Sequence, residues 1–182
     1  MGLDGLFLYA LKNELGSALV GAKVDKIHQP SKDELVLLLR QNNKNVKLLI
    51  SIRQSSPRIH LTEQTFENPN EPPMFCMLLR KHLSGGRLID IFQPPMERCA
   101  VFTFECMDEM GDLVQRRLVA ELMGRTCNLY LLDAGNRIID CLRRIGLDES
   151  ARPALPGLNY QLPAPVGKTD PKSAILDDYV NL

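Results

Sequence analysis

Residues 87–132, RLIDIFQPPMERCAVFTFECMDEMGDLVQRRLVAELMGRTCNLYLL, decide how the chain folds. Over 99–107 apolar and polar residues alternate, with Phe102 and Phe104 interleaved by Thr103 and Glu105. A period of two sends successive side chains to opposite faces, so this is a strand with one dry and one wet face. Strands are read in the same way over 87–92, 113–122 and 128–132, and a further one over 137–143. Gly111, in Asp108-Glu109-Met110-Gly111-Asp112, and Gly135, in Asp133-Ala134-Gly135-Asn136, mark turns between them. Consecutive strands with short turns imply an antiparallel meander.

Upstream, Leu3, Leu6, Phe7, Ala10, Leu11 and Leu15 fall at helical spacing, with Asp4 where an N-cap belongs. This predicts an amphipathic helix over 4–20, closed at Gly16 or Gly21. Strands follow over 22–29, where alternation is poor, over 34–40 and 46–52, and over the short run 58–62. Residues 41–45, QNNKN, read as a hairpin loop, because Asn tolerates positive φ. Pro69, Pro72 and Pro73 make 63–73 a loop. A helix over 74–83 comes next, apolar early (Met74, Phe75, Met77, Leu78), basic late (Arg80, Lys81, His82) and closed by Ser84-Gly85-Gly86. Helices at the start and middle, with strands grouped after them, give an α+β domain. Beyond residue 150 prolines and glycines make an irregular segment, and Thr169-Asp170-Pro171 opens another helix. The expected organisation is one domain over 1–168 and the start of a helix over 169–182, in a piece of a longer protein.

Composition narrows the function. Lys plus Arg equals Asp plus Glu at 22 each, so the net charge is zero. Nucleic acid could then be held only by a local basic face. The five cysteines are odd in number, lack C-x-x-C and sit mostly in apolar runs, which predicts buried free thiols in a reducing compartment. The N-terminus lacks the pattern of a secretory signal, and no apolar run approaches the roughly 20 residues of a membrane helix. A cytoplasmic protein without membrane contact is expected. His28, His60 and His82 have no ligand spacing, there is no G-x-S-x-G, and Gly85-Gly86 follows a helix instead of preceding one. No metal, cofactor or catalytic residue is therefore expected.

Two segments hold candidate binding residues. In Gln93-Pro94-Pro95-Met96-Glu97-Arg98 an acid stands beside a base between two strands. Spacing alone favours an exposed ion pair. A shared ligand requires the next strand to begin after Arg98, or to carry a bulge, since neighbours on a regular strand diverge. In Glu121-Leu122-Met123-Gly124-Arg125-Thr126-Cys127-Asn128, Gly124 permits a sharp turn. Arg125 and Asn128 then sit at a loop tip, either as plain turn residues or as contacts to phosphate or base. Arg116, Arg117, Arg143 and Arg144 could extend a basic face.

Beyond the opening helix, KIHQPSKDELVLLLR (26–40), PPMFCMLLRKHLSGGRL (72–88), QPPMERCAVFTFE (93–105), ELMGRTCNLYLLD (121–133) and PGLNYQLPAP (156–165) together resemble the NFACT-N domain of ribosome quality-control factors. The resemblance covers nearly the whole chain in order. It implies an antiparallel β-sandwich flanked by helices, similar to the N-terminal domain of formamidopyrimidine-DNA glycosylases. It also implies a non-enzymatic role: binding stalled large ribosomal subunits that carry peptidyl-tRNA, and recruiting tRNA, alanine tRNA above all, for template-free alanine tailing. The family's acid–arginine pair maps onto Glu97 and Arg98, with Glu here where Asp is usual. Asp4 maps onto a functional acidic residue, a role that competes with helix capping. Arg125 and Asn128 complete the expected tRNA-binding set. The alternative is a fibronectin-binding adhesin, the activity in the family's older name. Glycosylase chemistry needs an N-terminal Pro amine followed by Glu, where this chain has Gly2 and Leu3.

Overall fold

A computed structural model describes residues 4–164. The helix expected from 169 lies outside the described residues. Helix α1 spans Gly5–Leu19. Asp4 caps it: the Phe7 N–H donates to Asp4 Oδ1 over 2.7 Å. Its buried side is Gly5, Leu8, Leu15 and Leu19, whereas Leu6 and Phe7, expected on the inner face, are exposed. The face turns because Gly5, lacking a Cβ, lets the first turn lie against the chain at Met96; a Cβ there would stand 2.0 Å from the Met96 carbonyl oxygen.

Four strands follow: β1 (Lys23–Ser31), β2 (Glu34–Gln41), β3 (Lys44–Ser51) and β4 (Arg58–Thr62). The loop expected over 41–45 shrinks to Asn42-Asn43, both at positive φ (49° and 59°), the signature of a tight hairpin turn whose twist matches its strands. Two register shifts in β1 explain its poor alternation. Helix α2 (Met74–Leu83) starts and stops as the sequence predicts. It buries Phe75, Cys76, Leu79 and Leu83, and leaves Met74 and Met77 exposed.

The rest is the meander β5 (Arg87–Phe92), β6 (Cys99–Met107), β7 (Leu113–Glu121), β8 (Asn128–Leu132) and β9 (Ile138–Cys141). Among the described residues, nine strands form one antiparallel sheet in the order β4-β3-β2-β1-β5-β6-β7-β8-β9. The architecture of the described residues is α+β, an antiparallel sheet with two helices. Between β1 and β5 the ladder has a single pair, Lys23↔Arg87, supplemented by backbone bonds such as Val24 N–H to Gly86 O. Both half-sheets nevertheless feed one core: Leu35, Leu37, Leu48 and Ile50 from one, Phe102, Phe104, Leu118 and Leu131 from the other. Arg143 stitches the halves together. It donates to Asp33 at 2.7 Å, and to the carbonyls of Ile52 and Cys127, each at 3.2 Å.

Beyond β9 the irregular segment folds back on the outer face of the meander through the bridges Ile145↔Ala154 and Arg137↔Asn159. It seals a second cluster of Cys99, Val119, Tyr130, Leu132, Ile138, Cys141 and Ala154. All five cysteines are free and buried, as the sequence predicts.

Candidate functional site

The β5–β6 connection is held from inside by Gln93. Its Nε2 donates to the Gly5 carbonyl at 2.8 Å and to the Glu97 carbonyl at 2.7 Å. One amide thus joins the first turn of α1 to the backbone of the acid–arginine pair. The turn closes with the Glu97 N–H donating to Pro94 O at 3.1 Å, and it drives Met96 into the left-handed region at φ 56°. That conformation is uncommon for a residue with a side chain, and it signals a backbone held by its surroundings.

Strand β6 begins at Cys99, after the pair, so pleat alternation does not force Glu97 and Arg98 apart. Of the expected exposed ion pair, the exposure fails, because Glu97 is only 6% exposed. Arg98 is half-buried, and its carbonyl accepts from the Leu122 N–H at 2.8 Å. Its charge reaches the next turn: the Cys127 thiol is pushed up by burial and drawn partly back by Arg143 and then Arg98. The β5–β6 connection and the β7–β8 turn therefore meet at one corner, with the α1 N-terminus welded to it.

Arg125 is exposed in the 3₁₀ turn Gly124–Thr126, and Gln54 reaches its carbonyl at 3.4 Å from the β3–β4 loop. Gly124 adopts φ 54°, the left-handed turn that the sequence implies. Asn128 needs correction. It opens β8 instead of sitting at a loop tip, and it is 1% exposed. Its Oδ1 accepts from the Arg143 and Leu129 N–H groups, and its Nδ2 donates to the Arg143 carbonyl at 2.8 Å. That amide fastens β8 to the chain leaving β9 and is spent on the fold. Asp4 stands at the same corner, one carboxylate oxygen occupied by its capping bond. The wider basic face is interrupted, since Arg117 bonds Asn136, Arg143 bonds Asp33 and Arg144 bonds Asp140.

Sequence reasoning missed Gly5 and Gln93 as the parts that position the pair. A glycine one residue inside a helix, and a polar residue between Phe92 and two prolines, were the available signals. It also missed a second acid–arginine pair. Glu121, fully buried, is gripped by both terminal nitrogens of Arg152 and by the Tyr160 hydroxyl at 2.7 Å. Arg152 lies over the rings of Tyr130 and Tyr160, 5.9 and 5.4 Å from their centroids.

The comparisons agree with this architecture. The family model for NFACT N-terminal and middle domains matches residues 4–180. The chain is 43% identical over 180 residues to the Rqc2 homolog RqcH of Bacillus subtilis, covering 98% of this chain and 32% of that protein. It is 29% identical over 136 residues to the human ribosome quality control complex subunit NEMF, covering 75% of this chain and 12% of that protein. The N-terminal domain of the fibronectin-binding protein PavA from Streptococcus pneumoniae superposes with a TM-score of 0.92 at 35% identity, over 99% of this chain and 71% of that one. This chain spans about a third of the length of its curated bacterial relatives. A match across nearly all its residues, on a fold that assembles the motif residues at one corner, places the chain in the family of NFACT N-terminal and middle domains.

Proposed function

We propose that the chain is the N-terminal part of a cytoplasmic ribosome quality-control factor that holds tRNA on stalled large subunits carrying peptidyl-tRNA. The reading is carried by the 43% identity to a bacterial Rqc2 homolog over 98% of the chain. The corner supplies a physical rationale. Arg98 and Arg125 offer cationic guanidinium groups that pair with phosphate or stack on unpaired bases. Glu97 and Asp4 offer acceptors to base amino groups or ribose hydroxyls. The RNA most suited to such contacts exposes its bases in a loop, as an anticodon arm does. The ribosome makes the peptide bonds of the alanine tail, so the domain contributes positioning and no catalytic group. Glycosylase chemistry is left out of this reading, because Gly2 and Leu3 stand where those enzymes need a Pro-Glu pair.

The test is Arg98→Ala in the full-length factor, assayed for alanine tails on stalled nascent chains. Tails should vanish while thermal stability is kept; normal tailing would remove the pair from the site. A second reading, fibronectin binding, rests on the names of structural neighbours such as the Streptococcus suis fibronectin/fibrinogen-binding protein, matched at a TM-score of 0.92. Fractionation separates the two readings, since an adhesin collects at the cell surface without ribosomes.

A further inference from the structure

The two edges of the sheet are finished differently. At β9 the chain folds back and closes the edge. The Ile138 N–H donates to Leu158 O, the Gly157 N–H to Ile138 O and the Tyr160 N–H to Asn136 O, each over 2.8 Å. At the other edge, among the described residues, β4 pairs with β3 alone, in a register without a bulge. The phase of the ladders fixes which backbone groups of β4 are spent. The Ile52 N–H donates to Asp33 O at 2.8 Å, so Ile52, Ile50 and Leu48 bond toward β2, and Ser51, Leu49 and Lys47 bond toward β4. Their partners Arg58, His60 and Thr62 are therefore the bonded residues of β4. Ile59 and Leu61 turn their N–H and C=O groups outward. Among the described residues no backbone group meets them, and the Leu61 carbonyl is approached by the ring of its own neighbour, His60 Nδ1, at 2.9 Å. Natural sheets often blunt such an edge with a proline, a bulge or an inward-pointing charge. Residues 58–62, Arg-Ile-His-Leu-Thr, hold none of these, since Ile59 and Leu61 are the ones that face the core.

A strand that covers this edge must present its own groups at the same spacing, and β4 itself does. Its pattern of polar, apolar, His, apolar, polar is symmetric about His60, which suits antiparallel pairing with an identical strand across a two-fold axis. The registers that bring outward groups together differ in where that axis falls. With the axis on Ile59, Pro57 would oppose the partner's Leu61 and supply no N–H. With the axis on Leu61, Ile59 would oppose the partner's Glu63, an apolar side chain against a charge. With the axis on His60, Ile59 opposes the partner's Leu61, and the two exchange both of their backbone bonds. Apolar side chains then face each other across the join, continuing the core to which Ile59 and Leu61 already belong. We infer that β4 is the surface through which two copies of this chain pair, antiparallel about His60, into one continuous sheet. The inference is independent of the function proposed above. A strand of five residues makes a small contact, so the pairing is weak, with a Kd of about 100 µM.

Sedimentation of the chain, together with amide hydrogen exchange read by nuclear magnetic resonance, tests this. Raising the concentration from about 10 µM to about 1 mM should convert most of the monomer to dimer. Over that range the amides of Ile59 and Leu61 should gain about fivefold in protection, whereas those of Arg58, His60 and Thr62, bonded to β3, should be protected throughout. His60→Glu sets two carboxylates against each other at the axis, where opposed Cα atoms lie about 4.5 Å apart, and should weaken pairing by more than about tenfold with the fold kept. Leu61→Pro removes an N–H that β3 does not use, and should abolish pairing. A chain still monomeric at about 1 mM would overturn the inference and leave the edge to an extended segment of another protein. So would a dimer whose concentration-dependent amides lie away from β4, a dimer that survives His60→Glu, or Ile59 and Leu61 amides already protected in the monomer.

Discussion

Two acid–arginine pairs stand at adjacent rungs of the β6–β7 ladder and are built on opposite plans. Cys99 pairs with Glu121, and the Arg98 carbonyl, one residue earlier, accepts from Leu122. Pleat alternation sends Glu121 to the outer face, where Tyr130 and Tyr160 enclose its arginine, and Leu122 to the main core. Glu121 and Arg152 come from 31 residues apart and are joined side chain to side chain. Glu97 and Arg98 are neighbours in sequence and are positioned through their backbone, by the Gln93 amide, the Leu122 N–H and the close seat of Gly5. An acid and an arginine locked together hold a fold. A pair fixed by its main chain has its geometry set by the turn that carries it.

That contrast is open to experiment. Its largest break is Glu121→Ala, which strands Arg152 and the Tyr160 hydroxyl in a buried setting and should cost about 3 kcal/mol in chemical denaturation. Replacing Glu121 and Arg152 together by Met should recover most of the loss, which would mark the pair as structural. A pH scan probes the ladder between the pairs. Burial first, then the Glu121 charge, pushes the Cys99 thiol from 9.0 to about 12. The unfolded chain ionises this thiol from its ordinary value while the fold resists, so Tm should hold level up to about pH 9 and then fall steadily toward pH 12. Gln93→Leu should cost about 1–3 kcal/mol by calorimetry. It should also depress tailing beyond what the stability loss explains, because Glu97 and Arg98 lose their shared anchor. Asp4→Ala should cost about 1 kcal/mol as a lost helix cap. A further drop in tailing at a temperature where the variant is fully folded would assign Asp4 both of its competing roles. Arg98→Ala should change stability by less than about 0.5 kcal/mol, the mirror image of Glu121→Ala.

Much of the fold was legible because its signals are local. Alternation at Phe102 and Phe104, the prolines before α2 and Asp4 before α1 each act within a few residues, and the corresponding elements form where the pattern puts them. Asn42-Asn43 carried the right chemistry, but the strands extend inward and leave only two residues to turn. The site was half legible. Arg125 occupies the turn that Gly124 announced, whereas Asn128 is drawn inward by Arg143, fifteen residues away, a distance no local pattern spans. Gln93 escaped notice for the same reason, since its partner Gly5 lies 88 residues upstream.

The single rung between β1 and β5 bears on how the polypeptide is made. Every other ladder in the sheet joins strands that are adjacent in sequence. Local pairings form early and cheaply, because little loop entropy is lost in closing them. During synthesis β1 to β4 can zip together as each leaves the exit tunnel, with their inner leucines waiting for Phe102, Phe104 and Leu118 to emerge. The wait is set by translation speed, so the seam at Lys23 and Arg87 is where a nascent copy of this chain stays open longest.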